Sequence, residues 1–303
     1  MAAPHMALRG RLLRDEPLAG HTTWRVGGPA RQYYEPADLD DLALFLRALP
    51  ADEPLLWLGL GSNLLVRDGG FPGTVIATAG ALAGLSLLDG RSVRAEAGVA
   101  CNKVARFAAR HGLVGAEFLA GIPGAVGGAL AMNAGAFGGE TWSIVQAVET
   151  LDRHGRRRTR TPADFTVGYR SVAGPAEEWF AAARFRFSPG DGVASLERVK
   201  ALLARRNASQ PVGLPSCGSV FRNPPGDHAA RLIEACGLKG HCVGGACVAD
   251  KHANFIINTG AATAADIEDL IEYVAATVAA REGVALQREV VITGARQGAG
   301  DGC

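Results

Sequence analysis

Residues 115–140 read GAEFLAGIPGAVGGALAMNAGAFGGE, with Gly121, Gly124, Gly127, Gly128, Gly135, Gly138 and Gly139 set among Ala, Ile, Leu, Val, Met and Phe. An apolar segment this rich in glycine is costly in regular structure, because each glycine weakens a helix or strand interior by roughly 0.5–1 kcal/mol relative to alanine. Such a run belongs where the backbone takes positive φ or comes close to something else. A cradle for a large planar ligand carrying a diphosphate meets that description, and so does a tightly packed turn cluster. A membrane span is the third reading. It needs about 20 mainly apolar residues with every backbone group paired internally, and Pro123, Asn133 and the clustered glycines work against it.

The whole chain narrows the classes. Its 303 residues and 48% hydrophobic content predict two or three folding units around sizeable cores rather than disorder. A net charge of +1 gives no general attraction to nucleic acid or to an anionic membrane. Six cysteines without disulfide-framework spacing point to a reducing, cytoplasmic setting. The opening MAAPHMALRGRLLRDE lacks a sustained apolar run, so no signal peptide is expected, and Met6 offers an alternative start.

Outward from the cradle, the elements mix without regular βαβ alternation, which favours α+β over a doubly wound sheet. Strands are expected at 32–34, 55–60, 74–78, 92–97, 144–151, 180–187, 254–258 and 289–293. Helices are expected at 37–49, 102–110, 229–236 and 264–281, with Thr263 and Asp266 forming a capping box on the last. Ser195 is a candidate cap for a helix whose apolar face is Leu196, Val199, Leu202 and Leu203. Residues 207–215 read as a linker and the main domain boundary. The strand at 55–60 runs into Gly59, Gly61, Ser62, Asn63 and Leu64. This turn lacks the third glycine of a Rossmann fingerprint and the Lys-Ser/Thr pair of a P-loop, so it reads as an anion-binding nest or an ordinary hairpin turn.

Few residues announce chemistry by themselves. The run Arg156, Arg157, Arg158 and Arg160 reads as a solvated hairpin tip. Cys236, His241, Cys242, Cys247 and His252 lack C-x-x-C ligand spacing, so no metal is expected. Ser219 has no G-x-S-x-G elbow around it, and Arg170 and Glu289 alone read as ordinary charged positions.

Taken together, however, the segments TTWRVGGPA, GLGSNLLV, AGIPGAVGGALAMNAGAFGGE, GYR, GSVFRNP, LIEACGLKG, GGACVADKHANFIIN and REVVITG, in this order from about Thr22 to Gly294, resemble the bacterial UDP-N-acetylenolpyruvoylglucosamine reductase family. The short interval between GYR and GSVFRNP resembles the shorter subgroup, without an inserted tyrosine loop. The resemblance implies an α+β fold with FAD-binding domains of the vanillyl-alcohol-oxidase (PCMH-like) type. It divides the chain into FAD-binding subdomains at 8–78 and 79–206, a C-terminal α+β substrate-binding domain at 207–296, and a loose tail at 297–303.

The same resemblance implies non-covalent FAD, NADPH as hydride donor and a cytoplasmic flavoenzyme of peptidoglycan synthesis, serving cell-wall biogenesis, shape and division. Its small-molecule partners are NADPH and UDP-N-acetylglucosamine enolpyruvate, with neither nucleic acid nor membrane insertion. Position by position, Arg170, Ser219 and Glu289 match the family's catalytic residues. Flavin contacts fall on Gly59, Gly61, Ser62, Asn63 and Leu64, and on Gly121, Ile122, Pro123, Gly124, Gly127, Gly128, Asn133 and Gly135. Substrate contacts fall on Tyr169, Arg206 and Asn223. Val167 stands where an aromatic is usual, Ser171 follows the arginine one position early, and Cys247 replaces a frequent glutamine; these departures bear on substrate contacts rather than on the reaction. Two other readings share the glycine segments: another FAD-dependent oxidase or dehydrogenase of the same fold, and a nucleotide-binding module without catalysis.

Overall fold

The computed structural model describes residues 7–297. Met6 as an alternative start, and the expected tail apart from Gln297, lie outside the described residues. Helices and strands are mixed along the chain, and the fold is α+β. The chain forms two compact units that are not contiguous in sequence: residues 7–14, 32–59 and 73–199 make the first, and residues 15–31, 60–72 and 200–297 the second. These differ from a linear division at 78/79 and 206/207.

In the first unit a five-stranded sheet runs in the order Arg157–Arg160, Val145–Asp152, Glu178–Arg186, Ser92–Glu96, Leu85–Asp89. Beside it, Leu55–Leu58 lies parallel to Phe71–Ala77, with Leu55 opposite Thr74. The helix Leu39–Ala48 starts at Asp38, whose side chain accepts the Asp41 N–H, and buries Leu39, Leu42, Phe45 and Leu46 against Tyr34, Ile76, Leu82 and Leu151. The basic run leaves the hairpin turn at Arg156 and continues as the exposed edge strand Arg157–Arg160. Arg157 pairs with Asp40 at 2.7 Å and Arg160 with Glu178 at 2.6 Å, so carboxylates on neighbouring elements neutralise what the local sequence presents as a bare charge block. Ser195 is likewise not a cap: the helix Gly192–Ser209 begins three residues earlier, where Asp191 accepts the Val193 and Ala194 N–H groups, and Ser195 is buried with its hydroxyl on Glu117 at 2.8 Å.

In the second unit the helix Ala264–Glu282 carries the expected capping box and ends at Gly283 with φ +70°. It buries Ile267, Leu270, Ile271, Val274 and Val278 in a core with Trp24, Leu65, Phe221, Leu232 and Ile256. A three-stranded sheet, Cys242–Val243, Ala246–Val248 and Ile256–Asn258, packs beside it, its first hairpin unforeseen in the sequence. Leu64–Val66 pairs in parallel with Val291–Thr293, with Leu64 opposite Val291. Glu289 thus stands just before the last strand rather than in it.

One buried ion pair fastens this unit. Arg67 Nε and Nη2 each donate to Glu268 at 2.8 Å, and Glu268 is 3% exposed. The bidentate hydrogen bonds from Arg67 hold the Glu268 carboxyl below its ordinary value against the opposing effect of burial. A depressed folded-state value means that the stabilisation is full above the unfolded carboxyl's value of about 4.3 and is lost as pH falls through the folded one. Glu268→Gln should therefore lower stability by about 2–3 kcal/mol at pH 7, toward the lower end for a partly solvated pair. Thermal melts should show the gap closing toward pH 3; a gap constant down to that pH would show that the carboxylate charge contributes nothing.

Candidate functional site

The glycine cradle is built by short elements that only small residues permit: a 3-10 turn at Glu117–Gly121, the helix Val126–Ala131 and a tight hairpin pairing Gly135–Ala136 with Gly139–Glu140. Its backbone is tied to the sheet side of the unit, since Val126 N–H donates to Val99 O and Gly127 N–H to Ala97 O, both at 2.9 Å. Those two N–H groups are therefore spent within the protein. The cradle opens space there rather than donors.

That space is a cavity of about 310 Å³ lined by Trp57, Gly59, Gly127, Gly128, Trp179 and Phe180, with Thr78 and Glu178 among its polar groups. Trp57 and Trp179 stack at 5.6 Å between ring centroids. The Trp57 indole N–H is buried without a hydrogen-bond partner. A Cβ on Gly128 would meet nothing within 4 Å, so the missing side chain there serves the cavity and not the protein's own packing. Aromatic walls, an orphan donor and a glycine floor fit one planar, hydrogen-bonding ring system of a larger ligand.

The GYR segment lies on the same unit as a two-residue hairpin, Thr166–Gly168 pairing with Ser171–Ala173. Tyr169 and Arg170 form its tip, Arg170 at φ +52° and with its guanidinium 5.1 Å from the Tyr169 ring centroid. Arg170 Nη1 donates to Asn133 O at 3.3 Å and Nη2 to Gly135 O at 3.1 Å, so the arginine rests on the far end of the cradle. Asn133, read from the sequence as a flavin contact, directs its side chain at the protein: Oδ1 accepts the Trp142 N–H, and Nδ2 donates to Glu140 and to Gly168 O.

Ser219, Asn223 and Glu289 belong to the second unit. Glu289 N–H donates to Val220 O at 2.8 Å and Arg222 N–H to Gln287 O at 2.9 Å, with Phe221 opposite Arg288 in an isolated antiparallel bridge. Two segments distant in sequence, 220–222 and 287–289, are thereby placed together, with Ser219 one residue from the pairing and half-buried. Asn63 of the GLGSN turn closes on the same point, its Nδ2 donating to Glu289 O at 3.1 Å while its own carbonyl accepts the Val291 N–H. Asn254, which sequence reasoning passed over, secures the serine segment: it accepts the Phe221 N–H at 3.0 Å, donates to Phe221 O at 2.8 Å, and its backbone carbonyl takes the Val220 N–H. Its only sequence signal is an asparagine just before the apolar run Phe255–Ile257 of HANFIIN. Glu289 also leaves an electrostatic mark. Burial, and then the Glu289 charge, push the Cys217 thiol well above its ordinary value.

Of the substrate candidates, Asn223 accepts the Ala229 N–H at 3.1 Å and so fixes the start of the helix Ala229–Ala235. Arg206, near the end of the helix Gly192–Ser209, donates through Nε to Gln210 at 3.0 Å, and burial lowers its guanidinium from the ordinary value. The residues weighed as zinc ligands have separate roles. Cys242 and Cys247 face each other in the hairpin, Cα atoms 4.1 Å apart, and form a disulfide; this corrects the expectation of free thiols drawn from sparse cysteines. Cys236 is buried, His241 stacks on Tyr273, and His252 Nδ1 accepts the Asn254 N–H at 3.3 Å. Among the described residues no three His, Cys, Asp or Glu side chains come together as a metal site, and no helix is long and apolar enough to cross a membrane.

Comparison with known proteins converges on one family. Residues 210–293 match the UDP-N-acetylenolpyruvoylglucosamine reductase C-terminal domain, and residues 30–160 match an FAD binding domain that includes Trp57, Gly59, Gly127 and Gly128. The UDP-N-acetylenolpyruvoylglucosamine reductase of Alkalilimnicola ehrlichii is 63% identical over 98% of this chain and 99% of its own. That of Methylococcus capsulatus is 64% identical over 95% of each. The crystal structure of the reductase from Thermus caldophilus superposes with a TM-score of 0.81 at 34% identity, covering 94% of this chain and 99% of that one. With a cavity suited to a planar ring at one end of the glycine cradle, an arginine seated at the other, and a serine segment paired beside a glutamate, the chain belongs to the UDP-N-acetylenolpyruvoylglucosamine reductase family.

Proposed function

We propose that the protein is an FAD- and NADPH-dependent reductase that converts UDP-N-acetylglucosamine enolpyruvate to UDP-N-acetylmuramate for peptidoglycan synthesis in the cytoplasm, thereby serving cell-wall biogenesis, shape and division. The observation that carries the reading is the backbone pairing of Glu289 with Val220, which places Glu289 beside the Ser219 segment. Non-covalent FAD would be held by the cavity residues Trp57, Gly59, Gly127 and Gly128, with Gly61, Ser62, Asn63, Leu64 and the Gly121–Gly124 turn as further contacts. When bound, it supplies hydride exchange between NADPH and the terminal vinyl carbon of the enolpyruvyl group.

The chain's own residues handle the charge and the proton. Hydride addition builds negative charge toward the enolpyruvyl carboxylate. The planar Arg170 fork stabilises that charge, and Glu289 hydrogen-bonds the carboxyl group or orients its neighbours. The Ser219 hydroxyl then donates a proton to the adjacent carbon, a strong base once the hydride has arrived. Tyr169, Arg206 and Asn223 serve the nucleotide, Asn223 through the NH₂ that its helix-starting role leaves to the ligand. A chain without a Rossmann fingerprint is consistent with NADPH using the same site in turn.

Two experiments test this reading. Ser219→Ala, followed by anaerobic stopped-flow, should be bleached by NADPH within several-fold of the parent. Its reoxidation by the enolpyruvyl nucleotide should slow by about 10²–10⁴-fold, the usual contribution of a positioned proton donor, or roughly 3–5 kcal/mol of barrier. Reoxidation at the parental rate would place the general acid elsewhere. Gly128→Leu projects a side chain toward the cavity from a position where a Cβ meets nothing within 4 Å and gains up to about 1 kcal/mol of helix propensity, so it should melt no lower than the parent yet purify without yellow flavin. Full flavin occupancy in this variant would move the cofactor out of the cavity.

A further inference from the structure

The last part of the glycine cradle, from Asn133 to Glu140, does not line the cavity; its groups converge on Arg170. Asn133 is 1% exposed and sits at φ +47°. Both hydrogens of its Nδ2 are used, one on Glu140 Oε2 at 2.9 Å and one on Gly168 O at 3.1 Å, and its Oδ1 accepts the Trp142 N–H at 3.1 Å. Gly168 is the last strand residue before the Tyr169–Arg170 tip, so the carboxamide clamps the root of the hairpin whose arginine returns to the Asn133 and Gly135 carbonyls. Gly135 has to be glycine here. A Cβ would lie 2.5 Å from Gly139 O and 3.2 Å from Arg170 Nη1, displacing either the hairpin or the guanidinium.

We propose that Asn133 and Glu140 are positioning residues for Arg170: they lock the Tyr169–Arg170 turn onto the cradle, so that the 133–140 segment is an arginine seat. The chemistry requires an amide at 133. Only a side chain with two N–H hydrogens and an acceptor satisfies Glu140, Gly168 O and Trp142 N–H at once. The Glu140 carboxylate adds a charge-assisted bond that fixes the amide's orientation. A carboxylate at 133 would keep the bond from Trp142 but face oxygen with oxygen at the other two contacts. The inference rests on the catalytic reading of Arg170 only for its effect on rate; the seat itself is a matter of geometry.

The test uses the flavin-loaded enzyme and separates the half-reactions. Asn133→Asp should be bleached by NADPH at close to the parental rate, while reoxidation by the enolpyruvyl nucleotide slows about 10–10²-fold, the scale of a small misplacement of a catalytic group. Asn133→Asp combined with Glu140→Gln, which returns a donor between the two side chains, should recover part of that loss. Combining Asn133→Asp with Arg170→Lys should cost less than the product of the separate losses, because both disturb one guanidinium. Glu140→Ala, which removes a single contact, should show a smaller loss in the same direction and serves if Asn133→Asp does not fold. Equal slowing of both half-reactions, or losses that multiply, would overturn the positioning role. An independent readout is tryptic cleavage after residue 170, mapped by mass spectrometry on the flavin-loaded protein. It should be faster in Asn133→Asp than in the parent, and equal rates would overturn the seat. If Arg170→Lys alone reoxidises normally while cleavage in Asn133→Asp accelerates, the seat stands and the catalytic reading of Arg170 falls.

Discussion

Irregular backbone has to be hydrogen-bonded as completely as a helix or a sheet, and in this protein the asparagine carboxamide meets that constraint at every point where catalytic candidates are presented. Asn133, Asn254 and Asn258 are 1%, 3% and 6% exposed, each satisfying donors and acceptors that no regular ladder reaches. Asn133 ties the cradle to the GYR hairpin, Asn254 ties the serine segment to the three-stranded sheet, and Asn258 donates to Trp24 O while accepting from Gly260 and Ala262. Asn63 does the same for Glu289 from a half-buried position. A hydrophobic residue of equal volume at any of these sites would strand several polar groups out of water, at about 1–3 kcal/mol each. The price of a site made of loops is thus met by a few side chains that can both give and accept.

This explains which parts of the structure were legible in the sequence. The helices Leu39–Ala48 and Ala264–Glu282 formed where their apolar period and caps said they would, because both signals are local and concern one element's own face. The basic edge strand and Ser195 were misread for the opposite reason. Their partners, Asp40 for Arg157 and Glu117 for Ser195, stand 117 and 78 positions away, and no local window contains them. The hairpin holding Cys242 and Cys247 was missed because its strands are only two and three residues long, too short for an alternating pattern, and the Gly244–Gly245 turn between them reads as one more glycine pair.

At the candidate site the sequence yielded identities but not contacts. The order of the motifs named a family, and with it Arg170, Ser219 and Glu289; nothing in the spacing said that Glu289 would hang on Val220, or that Asn63 would close on its carbonyl across 226 residues. The cradle was read as one object because glycine has one signature and several uses. The structure divides it by what a Cβ would meet. At Gly128 that is open cavity, and at Gly135 a carbonyl and a guanidinium, so the first glycine makes room for a ligand and the second for a neighbouring side chain.

The backbone at Arg170 shows why such a seat has to be built so thoroughly. A non-glycine residue at φ +52° sits in a region that costs roughly 1–2 kcal/mol for an L side chain, and Asn133 at φ +47° adds a second such position in the same cluster, though asparagine bears it more easily. Left alone, a two-residue turn would relax by rotating the arginine away. What prevents this is the number of bonds that such a rotation would break together: two from the guanidinium to the cradle, one from Asn133 to the hairpin root, and the Gly168–Ser171 register itself. Net gains of about 1 kcal/mol per hydrogen bond are enough to outweigh the strain only when several act on the same few atoms. The guanidinium is therefore held in place before any ligand arrives, so less ordering cost falls on the reaction it is proposed to assist.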